Sequence, residues 1–167
     1  MTRVTAYVAL GANLGDPVAQ VMAGLAALAA LPRTRLLSQS SLYRTAPVGY
    51  AGQPDFINAA AAVATALRPR ELLAALLATE RRHGRVRDFA NAPRTLDLDL
   101  LLYGDLQLQE EGLTIPHPRL HERAFVLAPL AEIAPDCVVP ARGTVSGLLR
   151  GIGAAGVVRL AAAAGMA

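Results

Sequence analysis

Apolar positions recur along the chain with two periods, and their alternation outlines most of the elements. Residues 4–10 form a short apolar run, partly β-branched, that stops at Gly11; this is the pattern of a buried strand. Asp16-Pro17 opens a helix, with Asp16 as N-cap and Pro17 at the first helical position. Val18, Val21, Met22, Leu25 and Leu28 then repeat at helical spacing, and Pro32 marks the stop. Residues 35–43 read as a second strand and residues 45–54 as a loop punctuated by proline and glycine. Residues 56–67 read as a third strand, rich in alanine. Pro69 opens a second helix with Leu72, Leu73, Leu76 and Leu77 on one face, ending near Gly84. A polar loop over 85–93 leads into a fourth strand over 96–103. A Gly104-Asp105 turn, a short strand near 106–108, a loop at Pro116-His117-Pro118 and a helix over 122–134 containing Pro129 follow. Beyond Val138 short strand and helix signals mix, and the alanine-rich tail past about 157 is expected to fray.

The order β-α-β-β-α-β predicts an α+β fold of the ferredoxin-like kind. It is an antiparallel sheet with helices packed on one face, plus C-terminal additions. The 167 residues suffice for one domain with a real core, and neither linker nor internal repeat divides them. Hydrophobic residues make up 53%, much of it alanine and leucine, yet no run is long and smooth enough to span a bilayer. The start, Met1-Thr2-Arg3-Val4, carries no signal-peptide pattern, so a cytoplasmic protein is expected. Cys137, the single cysteine, has no partner for an intramolecular disulfide and reads as a small buried side chain. Lysine is absent. That excludes a P-loop kinase and a protein-kinase-like site, since both require a lysine on the phosphates. Phosphate handling would fall to arginine, metal ions and backbone amides.

Asp97 and Asp99 alternate in the fourth strand and so share a face, about 7 Å apart at Cα, while Leu96, Leu98, Leu100 and Leu102 point to the core. Aspartate is a poor strand former, and two of them in a leucine-rich strand suit a clasp for hard divalent cations. A solvated strand face is the plain alternative. Arg85, Arg87 and Arg94 stand on the preceding polar loop and can reach across a polyphosphate; equally, they suit a solvated loop after a helix C-terminus. Phe56 and Asn58 share a face of the third strand. With Phe125 they could form a stacking and hydrogen-bonding pocket for a flat heterocycle, although each aromatic alone reads as core.

Seven segments occur in order: Gly11-Ala12-Asn13-Leu14-Gly15-Asp16, Tyr43-Arg44-Thr45-Ala46-Pro47-Val48-Gly49, Gln53-Pro54-Asp55-Phe56-Ile57-Asn58, Gly84-Arg85-Val86-Arg87, Pro93-Arg94-Thr95-Leu96-Asp97-Leu98-Asp99, Pro116-His117-Pro118 and Arg123-Ala124-Phe125-Val126-Leu127-Ala128-Pro129-Leu130. As a set they resemble the 6-hydroxymethyl-7,8-dihydropterin pyrophosphokinase family of folate biosynthesis. The resemblance implies transfer of pyrophosphate from MgATP to the pterin hydroxymethyl group, with release of AMP. It implies Asp97 and Asp99 as ligands of two magnesium ions, and Arg85 and Arg94 as catalytic arginines. Arg87, Glu80, Leu100, Thr114, His117 and Arg123 match nucleotide-site positions. Phe56 and Phe125 would sandwich the pterin and Asn58 would read its polar edge, with the backbone of Thr45, Pro47, Val48 and Gly49 closing the pocket. Three positions depart from the common pattern. Ala90-Asn91-Ala92 replaces an Arg-Trp-Gly in a loop one residue shorter, Leu77 replaces a glutamine, and Pro118 replaces a tyrosine.

The expected partners are small molecules, with neither nucleic acid nor membrane, and the expected state is a monomer. One alternative is a non-catalytic, arginine-rich RNA-binding module, which would need exposed aromatics on the sheet; aromatics are only 4% of the chain. The other is a kinase that makes ADP.

Overall fold

The computed structural model describes residues 2–46, 54–83 and 96–160. Its first part runs β1 (Val4–Ala12), α1 (Pro17–Ala29), β2 (Thr34–Gln39), β3 (Tyr43–Thr45), β4 (Phe56–Thr65), α2 (Pro69–Arg82) and β5 (Asp97–Tyr103). All pairings among these strands are antiparallel: β1 lies between β4 and β5, and β2 and β3 pair with β4. This is the ferredoxin-like arrangement expected from the element order.

The strand expected over 35–43 is two strands. Ser40 N donates to Ala60 O at 2.8 Å, while Ser40 Oγ accepts from Ala60 N at 2.9 Å. The side-chain oxygen thus stands in for a ladder carbonyl and interrupts the strand without releasing it from β4. The helix starts follow their caps. Asp16 Oδ1 accepts from Ala19 N at 3.1 Å ahead of Pro17, and Glu71 Oε1 accepts from Arg68 N at 2.8 Å ahead of Pro69.

The C-terminal part adds a hairpin of β6 (Leu108–Glu110) and β7 (Leu113–Ile115), a 3-10 turn at Leu120–Glu122, and α3 (Ala124–Ile133). Then come the small β8 (Val138–Val139) and β9 (Gly143–Thr144), α4 (Val145–Ile152) and β10 (Val157–Arg159). The short strand expected near 106–108 lies slightly later, and the helix expected from 122 begins as a 3-10 turn. Residues 157–159 do not fray: they pair with β3, Val157 opposite Thr45 and Arg159 opposite Tyr43. The remaining tail, 161–167, lies outside the described residues.

Two cores flank the sheet. On one face Val8, Leu10 and Leu98 meet Val21, Leu25 and Leu28 of α1 and Leu72 and Leu76 of α2. On the other, Ala9, Ala60, Leu101 and Leu102 meet Leu127 and Leu130 of α3 and Val145 of α4. Helices therefore cover both faces, the second being supplied by the C-terminal additions. Leu102 belongs to this second core and not to the leucine face of β5. Tyr7 pairs with Leu102 and Val8 with Leu100, so Leu101 is an extra residue that reverses the alternation beyond it. Cys137 is only half-buried, beside the same core. No helix among the described residues is long and apolar enough to cross a membrane.

Candidate active site

The α3 face of the sheet is left open beyond the helix N-terminus. Cross-strand register brings one row of residues together on this face. Asp97 on β5 lies opposite Gly11 on β1, Gly11 opposite Asn58 on β4, and Asn58 opposite Tyr43 on β3. One step along, Asp99 lies opposite Ala9 and Ala9 opposite Ala60. The residues between the acidic strand and Asn58 are thus nearly without side chains. A Cβ at Gly11 would stand 3.0 Å from Asn58 Nδ2, so glycine here makes room for the amide. Asn58 is buried, and its Oδ1 accepts from Thr45 Oγ1 at 3.0 Å, which fixes the amide's orientation.

Over this floor lies a cleft of about 580 Å³. Thr45, Ala46 and Phe56 form one side, Arg123, Phe125 and Val126 the other, and Asp97 and Asp99 one end. The Arg123 guanidinium sits 5.6 Å from the centroid of the Phe125 ring, a cation–π arrangement. Arg119 and Glu122 also line the cleft and pair through Nε and Oε2 at 3.0 Å.

A second cavity of about 360 Å³ runs along the other edge of β5. Among the described residues this edge has no neighbouring strand in the sheet, so its backbone groups need other partners. Glu80, almost fully buried on α2, meets one of them: its Oε2 accepts from Leu98 N at 2.7 Å. Leu73 and Leu77 of α2, Leu100 of β5, Thr114 of β7, His117 and Pro118 complete the wall. His117 is fixed at both ends: its N donates to Leu101 O at 2.9 Å, and its Nδ1 accepts from Arg119 N at 3.1 Å. The ring proton therefore resides on Nε2. Burial holds the His117 pKa below its ordinary value, Asp99 opposing and Arg123 and Arg119 reinforcing the shift. Asp97 and Asp99 line both cavities and stand where they meet.

No group of three or more histidine, cysteine, aspartate or glutamate side chains that could hold a metal occurs among the described residues. Two carboxylates at an open junction are a hard-oxygen donor set that leaves most of a coordination shell to water and ligand phosphates. That is how magnesium is usually held, so the residues present fit it.

The model of the family described as 7,8-dihydro-6-hydroxymethylpterin-pyrophosphokinase (HPPK) matches residues 7–135. The chain belongs to this family. A protein of Haemophilus influenzae named 2-amino-4-hydroxy-6-hydroxymethyldihydropteridine pyrophosphokinase is 47% identical over 88% of this chain and 92% of its own length. One of the same name from Pseudomonas aeruginosa is 52% identical over 80% of this chain and 83% of its own. A solved Plasmodium falciparum HPPK-DHPS structure superposes with a TM-score of 0.72 at 13% identity over 90% of this chain, which establishes the shared fold. The present chain spans 44% of that longer one. These relatives lend no support to a non-catalytic nucleic-acid module.

Within this pyrophosphokinase, Thr45, Phe56, Asn58, Phe125 and Arg123 meet in the larger cleft. Glu80, Leu100, Thr114 and His117 meet in the smaller one. Arg123, expected at the nucleotide, lines the larger cleft and acts electrostatically on His117 in the wall of the smaller one. Pro47, Val48, Gly49, Arg85, Arg87 and Arg94 lie outside the described residues, as does the Ala90-Asn91-Ala92 replacement. Gly11, Arg119 and Glu122 were not singled out by sequence reasoning as site residues. Gly11 owes its role to a register across three strands, and the Arg119–Glu122 pair looks in sequence like any i,i+3 surface pair.

Proposed function

We infer that this chain moves pyrophosphate from ATP to the hydroxymethyl oxygen of 6-hydroxymethyl-7,8-dihydropterin, the folate-pathway activity of its family, across the junction between its two cavities. The supporting observation is that Asp97 and Asp99 line both. In this reading the pterin enters the larger cleft, stacked by Phe56 and Phe125, with Asn58 on its polar edge. Thr45 fixes Asn58, and Pro47, Val48 and Gly49 complete the wall. ATP enters the smaller cavity against Leu100, Thr114 and His117, and Glu80 keeps the β5 edge in shape for it. Arg123, which lines the larger cleft, binds the nucleotide through its phosphate chain.

Two magnesium ions held by Asp97 and Asp99 would supply charge neutralisation on the phosphate oxygens. The pterin hydroxyl oxygen bonds to the β-phosphorus, the β-phosphorus bond to the α–β bridging oxygen breaks, and AMP leaves as the hydroxyl proton is lost. This is chemistry of positioning and electrostatics, without a covalent protein intermediate. Arg85 and Arg94, assisted by Arg87, neutralise charge developing on the transferred group. We assign the enzyme to the cytoplasm and to a monomeric state.

The test is to incubate the protein with MgATP and the pterin and to separate the nucleotides. Equimolar AMP and pterin diphosphate are expected. ADP as the product, or nucleotide turnover indifferent to the pterin, would overturn the reading.

A further inference from the structure

The two walls of the larger cleft are fastened together by a carboxylate that does not line it. Glu132 lies seven residues after Phe125 on α3, two turns along, and so projects from the same helix face. Phe125 thus borders the cleft while Glu132, about 10 Å further on, reaches the start of β3. There Ser41 N donates to Glu132 Oε1 and Oε2 at 3.0 and 3.1 Å, and Ser41 Oγ donates to Oε2 at 3.0 Å. Tyr43 OH donates to Oε1 at 2.7 Å. Arg159, on β10, closes the group from outside, with its Nη2 3.5 Å from Glu132 Oε2 and its Nε donating to Ser41 Oγ at 3.1 Å.

Tyr43 is the residue directly opposite Asn58, and two residues later comes Thr45, whose hydroxyl holds the Asn58 amide. A displacement of β3 against α3 would therefore move Asn58's support and the Thr45 wall together relative to Phe125. Binding geometry is sensitive to shifts of about half an ångström.

We propose that Glu132 is a positioning residue for the pterin half of the site: it fastens α3 to the start of β3 and so sets the spacing between Phe125 and Thr45, with Arg159 of β10 as its brace. The proposal rests on the assignment of the larger cleft to the pterin. It gives β10, outside the ferredoxin-like unit, a part in substrate recognition.

The experiment compares the intact enzyme with Glu132→Ala, Glu132→Gln, Tyr43→Phe and Arg159→Ala. Steady-state KM for each substrate, kcat and the thermal midpoint are measured for all of them. Glu132→Ala is expected to raise the pterin KM roughly tenfold, equivalent to ~1.4 kcal/mol, with the ATP KM within about twofold of the unaltered enzyme. Tyr43→Phe, which removes one hydrogen bond and keeps the ring, is expected to raise the pterin KM about two- to fivefold, and Arg159→Ala similarly. Glu132→Gln, whose amide oxygen can still accept from Tyr43, should recover part of the loss. A pterin KM unchanged throughout, or pterin and ATP constants rising in parallel with lost stability, would overturn the proposal. If Glu132→Ala does not fold, Tyr43→Phe decides: an unchanged pterin KM overturns it. An unaltered enzyme that releases no pterin-dependent AMP would instead overturn the functional reading beneath it.

Discussion

Asp97 is half-buried and Asp99 exposed, although they share one face of β5. Both face residues with minimal side chains, Gly11 and Ala9. Neither carboxylate contributes to a core, so truncation should spare the fold and remove a metal ligand. Asp97→Ala is expected to lower kcat at least about a thousandfold, the scale of a lost metal contribution of several kcal/mol. The thermal midpoint should stay within about 2–4 °C of the original, the shift expected for ~1 kcal/mol. Retained magnesium-dependent turnover would reject the assignment. The alternating aspartates were legible in the sequence because strand periodicity is local. Gly11, Asn58 and Tyr43 as one row were not, because each depends on register with a different strand. Glu132 was invisible for the same reason: Ser41 and Tyr43 lie 91 and 89 residues away along the chain.

Elements kept the identities their periodicities indicated, and changed where a single residue altered a ladder. Ser40 divided one strand in two, and Leu101 turned Leu102 to the opposite core. Neither event has a sequence signature, since serine near a strand end and a run of leucines suit an uninterrupted strand equally well. α1 shows a tighter constraint. Gly24 is buried mid-helix, and a Cβ there would stand 2.9 Å from Leu10 Cδ2 and 3.1 Å from Leu96 Cδ2. Alanine would add about 1 kcal/mol of helix propensity. Overpacking against two fully buried leucines costs ~1–3 kcal/mol, and it should win. Gly24→Ala is therefore expected to lower stability by up to about 2 kcal/mol in denaturant unfolding, with kcat little changed. A stabilised protein would show that the α1–sheet contact is looser than described.

Across the whole molecule, the C-terminal additions complete what the ferredoxin-like unit leaves open. α3 and α4 cover the second sheet face, the 3-10 turn and α3 supply one cleft wall, and β10 braces it. Acid should loosen that closure at Glu132. Burial alone would raise its pKa, but the hydrogen bonds from Tyr43 and Ser41, with the Arg159 charge, outweigh burial and hold it below the usual carboxylate range. Tyr43 is correspondingly pushed up to about 12, burial first and then its bond to Glu132. A depressed carboxyl stabilises the fold above its unfolded pKa, about 4.3, and loses that contribution as pH falls through the lower folded value. Glu132→Gln should therefore reduce the thermal midpoint at pH 7 by about 2–4 °C. The gap should narrow as pH falls below the unfolded value of about 4.3 and close beneath the lower folded one; a gap independent of pH would show that Glu132 is not held as a carboxylate.

Transfer of pyrophosphate carries the β-phosphate of ATP, and not only the γ, to the pterin, past Asp97 and Asp99, which line both cavities. ATP labelled at the β-phosphate tests this directly. With magnesium and the pterin, the label should be recovered wholly with the pterin and none in the nucleotide product. Label retained in ADP would contradict the transfer at its central point.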